Sequence, residues 1–396
     1  MSQSTNKLAT PRICFVLPSL VTAGAELQAI EQINELVKRG VEVCLVILST
    51  TIEEPLIDKL SLPSERILRL NNQHVTLRAA AFPSLRGFGK VGQFLKSNGC
   101  EYSIAILPFS QFFMRLTKLR CLRLRTKLIA YHHSLQYFAS PLNTANKRIF
   151  NRLNAALAYF TDNQHWFISA ASRDDVQQNF FTRNVKILPN AKNFDGVTNH
   201  DAANKLLAQF DIGDDDFCIL FPGRLHPTKG HVACLESFVR FLVAPENQTI
   251  KKRIKMLIVG YGVTEPAVRD FIRKQGLEEQ LKMFGRIENQ TLMALYQKSK
   301  ITLVPSISEG FGLVAIEAMV NRSVVIASDA GGLKHLIDHG KNGYQFPVAD
   351  YDRMNELLEF VITNYPKLDF NLEQVSDATR ANFSIQSQVD HILKLL

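Results

Sequence analysis

Two carboxylates, Glu309 and Glu317, stand eight positions apart in the run SISEGFGLVAIEAM, residues 306–319. The preceding segment KITLVPS reads as a strand ending at Pro305, and helical composition resumes near Gly312. The first turn of a helix has N–H groups with no helical acceptor, and its dipole adds partial positive charge. Glycine at 310 and 312 removes side chains that would block an anion from that turn. The turn therefore suits a phosphate or a cluster of sugar hydroxyls, with Glu309 as a hydroxyl acceptor just before the helix. Glu317 projects about 80° around the axis and about two turns further on. A carboxylate accepting from two adjacent hydroxyls fits a ribose diol. The plain alternative is that Glu309 only favours the helix start and Glu317 lies on a solvated face.

Three more segments carry chemistry. In FPGRLHPTKGH, residues 221–231, a strand runs into Gly223, and a loop holding Arg224 and Lys229 leads to a helix. A planar guanidinium fork and a mobile ammonium five positions apart suit a diphosphate, although the Walker spacing is absent. In VTAGAELQ, residues 21–28, Gly24 and Ala25 form a turn between the first strand and a helix, again an anion-ready terminus. In LIAYHHSL, residues 128–135, a strand ends on His132 and His133. A histidine there faces a cleft or is a packed or solvated ring, and the residues leave open which of the two does what.

Positioning these groups requires strands and helices in alternation, and both halves of the chain supply them. ICFVLPSL, VEVCLVILST, YSIAILPF, TKLIAYHH, HWFISA and VKILPN are strand candidates in the first half. FCILFPG, IKMLIVGYG, LKMFGRI, KITLVPS and SVVIASDAGG follow in the second. Near-continuous apolar strands separated by helices predict parallel sheets covered on both faces. At 396 residues two domains are expected. The polar stretch from Asn190 to Asp216, with three successive aspartates at 214–216, reads as their connection and not as a metal site. The fold class is α/β, two doubly wound Rossmann-like domains facing each other across a cleft.

Bulk properties narrow the function. No apolar run approaches a membrane span, and the start lacks the pattern of a signal peptide. The six cysteines have no Cys-x-x-Cys spacing, so reduced thiols and a cytoplasmic setting are expected. Residues 1–190 hold 23 Lys and Arg against 12 Asp and Glu, whereas the remainder holds 23 against 25. From Arg66 to Lys127 there are 12 basic residues and one acidic, Glu101. The Arg78–Lys96 run and KLRCLRLRTK at 118–127 form a basic, part-apolar face expected to rest on anionic lipid at the inner side of the membrane. No interleaved aromatics or reader motif accompany it, so nucleic acid is not the expected partner.

GRLHPTKG at 223–230, PSISEGFGLVAIEAM at 305–319 and SDAGGLKHLIDHGKNGYQFP at 328–347 follow one another in order and spacing. Together they resemble the retaining nucleotide-sugar glycosyltransferases of family GT4, which have the GT-B fold. The resemblance is strong over about 215–350. It implies an N-terminal acceptor domain over 1–190 and a C-terminal nucleotide-sugar donor domain over 191–380. A final helix, 381–396, would pack back on the N-terminal domain. It implies transfer of a hexose-type sugar from a nucleoside diphosphate, UDP among the candidates, to a hydroxyl of a glycan or lipid-linked acceptor. Bacterial cell-surface polysaccharide or lipopolysaccharide synthesis is the expected setting, with no metal or other cofactor.

Residue by residue, the resemblance implies that Arg224 and Lys229 hold the diphosphate after Gly223, and that Glu309 binds donor-sugar hydroxyls. The backbone at Gly310, Phe311 and Gly312 would fix that sugar, and Leu313 and Val314 would meet the phosphate. Glu317 would take the ribose and Ile287 would lie at the base. His132 or His133 would approach the sugar from the other domain, and Gly24 and Ala25 would admit the phosphates or the acceptor. His335 stands where the family has Glu, and the family's Pro-Asn-Gly-Val turn reads Pro189-Asn190-Ala191-Lys192. Two rivals share parts of this reading. A GT-B sugar epimerase would use the donor site without an acceptor, and a non-catalytic nucleotide or nucleic-acid binder would use the basic face alone.

Overall fold

The computed structural model describes residues 10–72, 85–213, 216–244, 253–368 and 370–396. Arg78 of the basic run, and Asp214 and Asp215 of the acidic one, lie outside them. The chain divides into two compact units, one running up to Asn193 and including Ile385–Leu396, the other Phe194–Ser384.

In the first unit seven described strands form one sheet: β1 (Ile13–Leu17), β2 (Val43–Ser49), β3 (Ile67–Asn72), β4 (Tyr102–Ile106), β5 (Lys127–His132), β6 (Asp162–Phe167) and β7 (Val185–Ile187). Their order is β3-β2-β1-β4-β5-β6-β7, every pairing parallel. β1 and β2 are buried at every position, as apolar strands covered on both faces must be. The strand expected over HWFISA starts earlier, at Asp162. Its first residues, Asp-Asn-Gln, have no strand signature, but Asp162 is buried in a bidentate pair with Arg115. β3 also escaped the sequence reading, because RILRL at a sheet edge mixes charge with apolar residues.

The second unit repeats the plan with β8 (Phe217–Pro222), β9 (Ile254–Val259), β10 (Leu281–Phe284), β11 (Ile301–Val304), β12 (Val324–Ser328) and β13 (Tyr344–Phe346). The order is β10-β9-β8-β11-β12-β13, again parallel. Alternate residues of β8 feed two cores: Phe217, Ile219 and Phe221 one, Cys218 and Leu220 the other. The winding direction switches between β8 and β11, so the loops leaving their carboxyl ends diverge and frame a crevice. Those loops carry Gly223–Gly230 and Pro305–Gly312.

One expectation changes. The polar stretch after Asn190 is not merely a connection. It contains the helix His200–Ala208, capped by Asn199, and buries Ala203, Leu207 and Ile212 in the second unit's core. The stretch from Arg66 to Lys127 is engaged only in part, and Arg86, Lys90 and Lys96 remain exposed. Arg115 is buried, Arg66 bonds Glu42 and Asn98, and Lys118 donates to the Thr161 carbonyl and Asn163. Arg120, Arg123 and Arg125 stay exposed, beside exposed Leu119 and Leu122.

The helix Ile385–Leu395 lies against the helix Gly24–Lys38 of the first unit. Gln388 accepts from the side chains of Gln28 and Gln32 and donates to the Pro189 carbonyl, and Arg39 pairs with Asp390. Gln28 also accepts from the Ala191 N–H, so side chains hold the Pro189–Lys192 segment. The six cysteines are free, five buried and Cys121 half-buried. No helix among the described residues is long and apolar enough to cross a membrane.

Candidate functional site

The crevice of the second unit is built by backbone before side chains enter. Gly223 follows β8 at φ +149°, outside the range of ordinary residues. A short 3-10 turn, Pro227–Lys229, then closes on Gly230 at φ +71°, where an added Cβ would stand 2.4 Å from the Pro305 carbonyl oxygen. The Thr228 carbonyl accepts the N–H groups of Ile307 at 2.8 Å and Ser308 at 3.2 Å. These contacts bring together two residues 80 positions apart. Lys229 Nζ lies 2.5 Å from Glu309 Oε2, and Ser306 Oγ donates to the same oxygen at 3.4 Å. Arg224, in the same loop, is exposed and has no ion pair among the described residues.

Gly312 caps the helix Leu313–Val320 at φ +115°, and a Cβ there would meet Leu333 Cδ2 at 2.7 Å. The N–H of Gly332 donates to the Glu309 carbonyl at 2.9 Å, tying the Gly310–Gly312 turn to the loop after β12. Phe311 packs edge-on against Phe383, inside the same unit. Leu313 and Val314 are half-buried, and the helix offers their N–H groups no acceptor. Glu317 is buried, which excludes the solvated face, and its Oε2 accepts from the Tyr296 phenol at 3.0 Å. Burial, then the neighbouring carboxylate, hold that phenol's pKa well above its usual range. Ile287 and Val314 are half-buried against the core containing Tyr296. His335 is exposed.

In the first unit Gly24 and Ala25 open the Gly24–Lys38 helix, and no atom lies within 4 Å of where a Gly24 Cβ would stand. Glu26 behind them is buried, accepts from Ser19 Oγ at 3.3 Å, and has its carboxyl pKa raised by burial. His132 is a packed ring, stacked on Phe167 at 4.6 Å, with Nε2 3.3 Å from His165 Nδ1. His165 Nε2 in turn lies 3.5 Å from Asp162 Oδ2. The ring of His133 lies 4.0 Å from that of Tyr131, and its nitrogens are buried without hydrogen bonds among the described residues. Burial lowers the His133 pKa to about 3. His132 is pushed well below the usual value by burial and by the nearby positive groups.

Sequence reasoning missed Tyr296, whose only signal is a phenol on the apolar side of the Asn289–Lys298 helix. It also missed the Arg115–Asp162–His165 network, since nothing in the spacing of 115, 162 and 165 brings them together. Ser306 and His231 lay inside quoted segments without being assigned a part.

Residues 203–376 match the family described as glycosyl transferases group 1. An uncharacterized glycosyltransferase of Methanocaldococcus jannaschii is 31% identical over 133 residues, covering 33% of this chain and 32% of the relative. The chain thus spans about a third of that relative's length. The lipopolysaccharide 1,2-N-acetylglucosaminetransferase of Salmonella typhimurium is 24% identical over 266 residues, 63% of this chain and 68% of the relative. Among solved structures, HepE of Anabaena in complex with UDP superposes with a TM-score of 0.76 at 20% identity, covering 97% of this chain and all of that one. That likeness is one of fold: two Rossmann-like α/β units of the GT-B class.

Proposed function

We propose that this chain, which carries the glycosyl transferases group 1 domain over residues 203–376, is a retaining glycosyltransferase of family GT4. It moves a hexose-type sugar from a nucleoside diphosphate to a hydroxyl of a glycan or lipid-linked acceptor in cell-surface polysaccharide synthesis. The observation that carries this reading is the Lys229–Glu309 pair set before the Leu313–Val320 helix N-terminus, with Arg224 exposed in the same loop as Lys229. In this proposal the second unit binds the donor and the first binds the acceptor.

The roles follow from charge. Arg224, Lys229 and the N–H groups of Leu313 and Val314 face the diphosphate and stabilise the negative charge that grows as it leaves. Glu309 accepts from sugar hydroxyls while its other contacts hold it still. Glu317, fixed by Tyr296, takes the ribose, with Ile287 beside the base. The bond from the anomeric carbon to the diphosphate oxygen breaks as the acceptor oxygen bonds the same face. The acceptor's proton passes to the departing diphosphate oxygen, so the protein's own cations suffice without a metal. UDP-sugars are the favoured donors, since the fold neighbour HepE is in complex with UDP and the Salmonella relative is named for N-acetylglucosamine transfer.

The test is a panel of UDP-, GDP- and ADP-sugars read by thermal shift and by product analysis. One nucleotide class should raise the melting temperature, because a ligand bound only by the folded state stabilises it. Transfer to an added acceptor with retained configuration would then follow. Free nucleotide release with an epimerised sugar would overturn the transferase reading, and no shift with any of them would overturn the donor site.

Membrane contact is proposed through the exposed basic residues of the first unit, to which one helix adds an apolar stripe. The helix Ala145–Thr161 has Lys147, Arg148 and Arg152 and no acidic residue, and it exposes Ile149, Leu153, Tyr159 and Phe160. A basic helix with an apolar stripe suits an anionic bilayer surface. Co-sedimentation is expected with vesicles containing anionic lipid and not with neutral ones, and Leu153→Glu together with Phe160→Glu should reduce it several-fold. Equal binding to both vesicle types would count against it.

A further inference from the structure

Beneath Lys229 the crevice narrows to a pocket lined by Gly223, Lys229, His231, Ser306, Glu309 and Val314. His231 is the first residue of the His231–Val243 helix, and it is 2% exposed. Its ring stacks flat on Phe221, with centroids 4.3 Å apart and planes 10° from parallel. Both ring nitrogens are buried, and neither has a hydrogen-bond partner among the described residues. The first-turn N–H groups of this 13-residue helix, which His231 begins, have no helical acceptor. A buried polar group left unpaired is destabilising, so an imidazole in a site where a phenyl ring would stack equally well calls for a ligand.

We propose that His231 is a further donor-binding residue, its imidazole N–H donating a hydrogen bond to the diphosphate of the nucleotide sugar from below Lys229. This rests on the reading of the crevice as a donor site. The group acts as a neutral donor and not as a third cation. Burial and the adjacent Lys229 charge lower its pKa to about 4. The carboxylate of Glu309 also faces the pocket, but it is already engaged by Lys229 and Ser306. A neutral imidazole adds direction without adding charge, so it distinguishes phosphoryl oxygens by position while Arg224 and Lys229 supply the attraction.

The decisive variant is His231→Phe, which keeps the stack on Phe221 and removes both nitrogens. Without ligand its melting temperature should equal or exceed that of the wild type, because an unpaired polar group has been replaced by an apolar one. Its affinity for the nucleoside diphosphate that binds the wild type, measured by calorimetry, should fall roughly tenfold, as for loss of a hydrogen bond to a charged group. His231→Gln, which restores an N–H donor, should recover part of that loss. Unchanged affinity in His231→Phe would overturn the proposal. So would a drop in ligand-free stability in both variants, which would mark the ring as structural. If the wild type bound none of UDP, GDP or ADP, the donor-site reading itself would fall.

Discussion

Replacing Lys229 by Ala is expected to lower the transfer rate about 10²–10³-fold, the usual effect of removing one group that stabilises leaving-group charge. Glu309→Ala should lower it by a similar factor, because the sugar loses its hydroxyl acceptor. The two losses should not add. Lys229 Nζ and Glu309 Oε2 are 2.5 Å apart, so each single change also strands the other group. Residues in direct contact routinely depart from additivity by about 0.5–3 kcal/mol. A double variant less impaired than the product of the single effects is therefore the expected result of a kinetic cycle. Both side chains are partly exposed, so folding should survive, and circular dichroism with the melting temperature checks this. Near-normal turnover in both single variants would refute the site.

A steep loss of stability in mild acid is the second expectation. His165 and His231 are lowered to about 4, His133 to about 3, and His132 lies well below the usual value, burial leading in every case. The unfolded chain binds protons at these positions below about pH 6.5, whereas the folded chain refuses them until near pH 4. Their contribution is thus complete above pH 6.5 and is lost as pH falls through that window, each ring accounting for up to about 1.4 kcal/mol per pH unit. His132 and His165 interact, so they titrate as a pair. Glu26 works in the opposite sense, since a raised carboxyl pKa favours the folded state as pH falls.

Three of the four rings lie in the first unit, which should therefore unfold first. Trp166 is the chain's single tryptophan and is fully buried there, so its emission follows that unit alone, while far-ultraviolet dichroism follows both. Urea midpoints read by Trp166 should fall more steeply between pH 6.5 and 4.5 than those read by dichroism. A flat midpoint across that range would sink the expectation.

How far the sequence carried this protein depends on the kind of residue. Strands such as Val43–Ser49, buried at every position, announce themselves as apolar runs. The helices His231–Val243 and Asn289–Lys298 fill gaps between those runs, where the alternation calls for helices. The glycines at 223, 230 and 312 mark turns that only their φ values permit, so the loops of the crevice were readable too. Polar residues in the interior were not readable. Asp162 begins a strand because Arg115, 47 positions away, pairs with it in the core, and no local pattern encodes a partner so distant. Within the basic run from 66 to 127, folding turned Arg115 inward and engaged Lys118 with backbone and amide oxygens, while Arg86, Lys90, Lys96, Arg120, Arg123 and Arg125 stayed exposed.

By itself, then, the order of residues determined two parallel α/β units and the types of group at the crevice, because backbone preference and apolar periodicity are local properties. Only the tertiary structure decided which of those groups touch. It paired Lys229 with Glu309, placed Glu317 under Tyr296, and left His231 without a partner among the described residues. The reason is physical: hydrogen bonds and charge pairs act over a few ångströms, and such distances between remote residues exist only after the sheets have assembled.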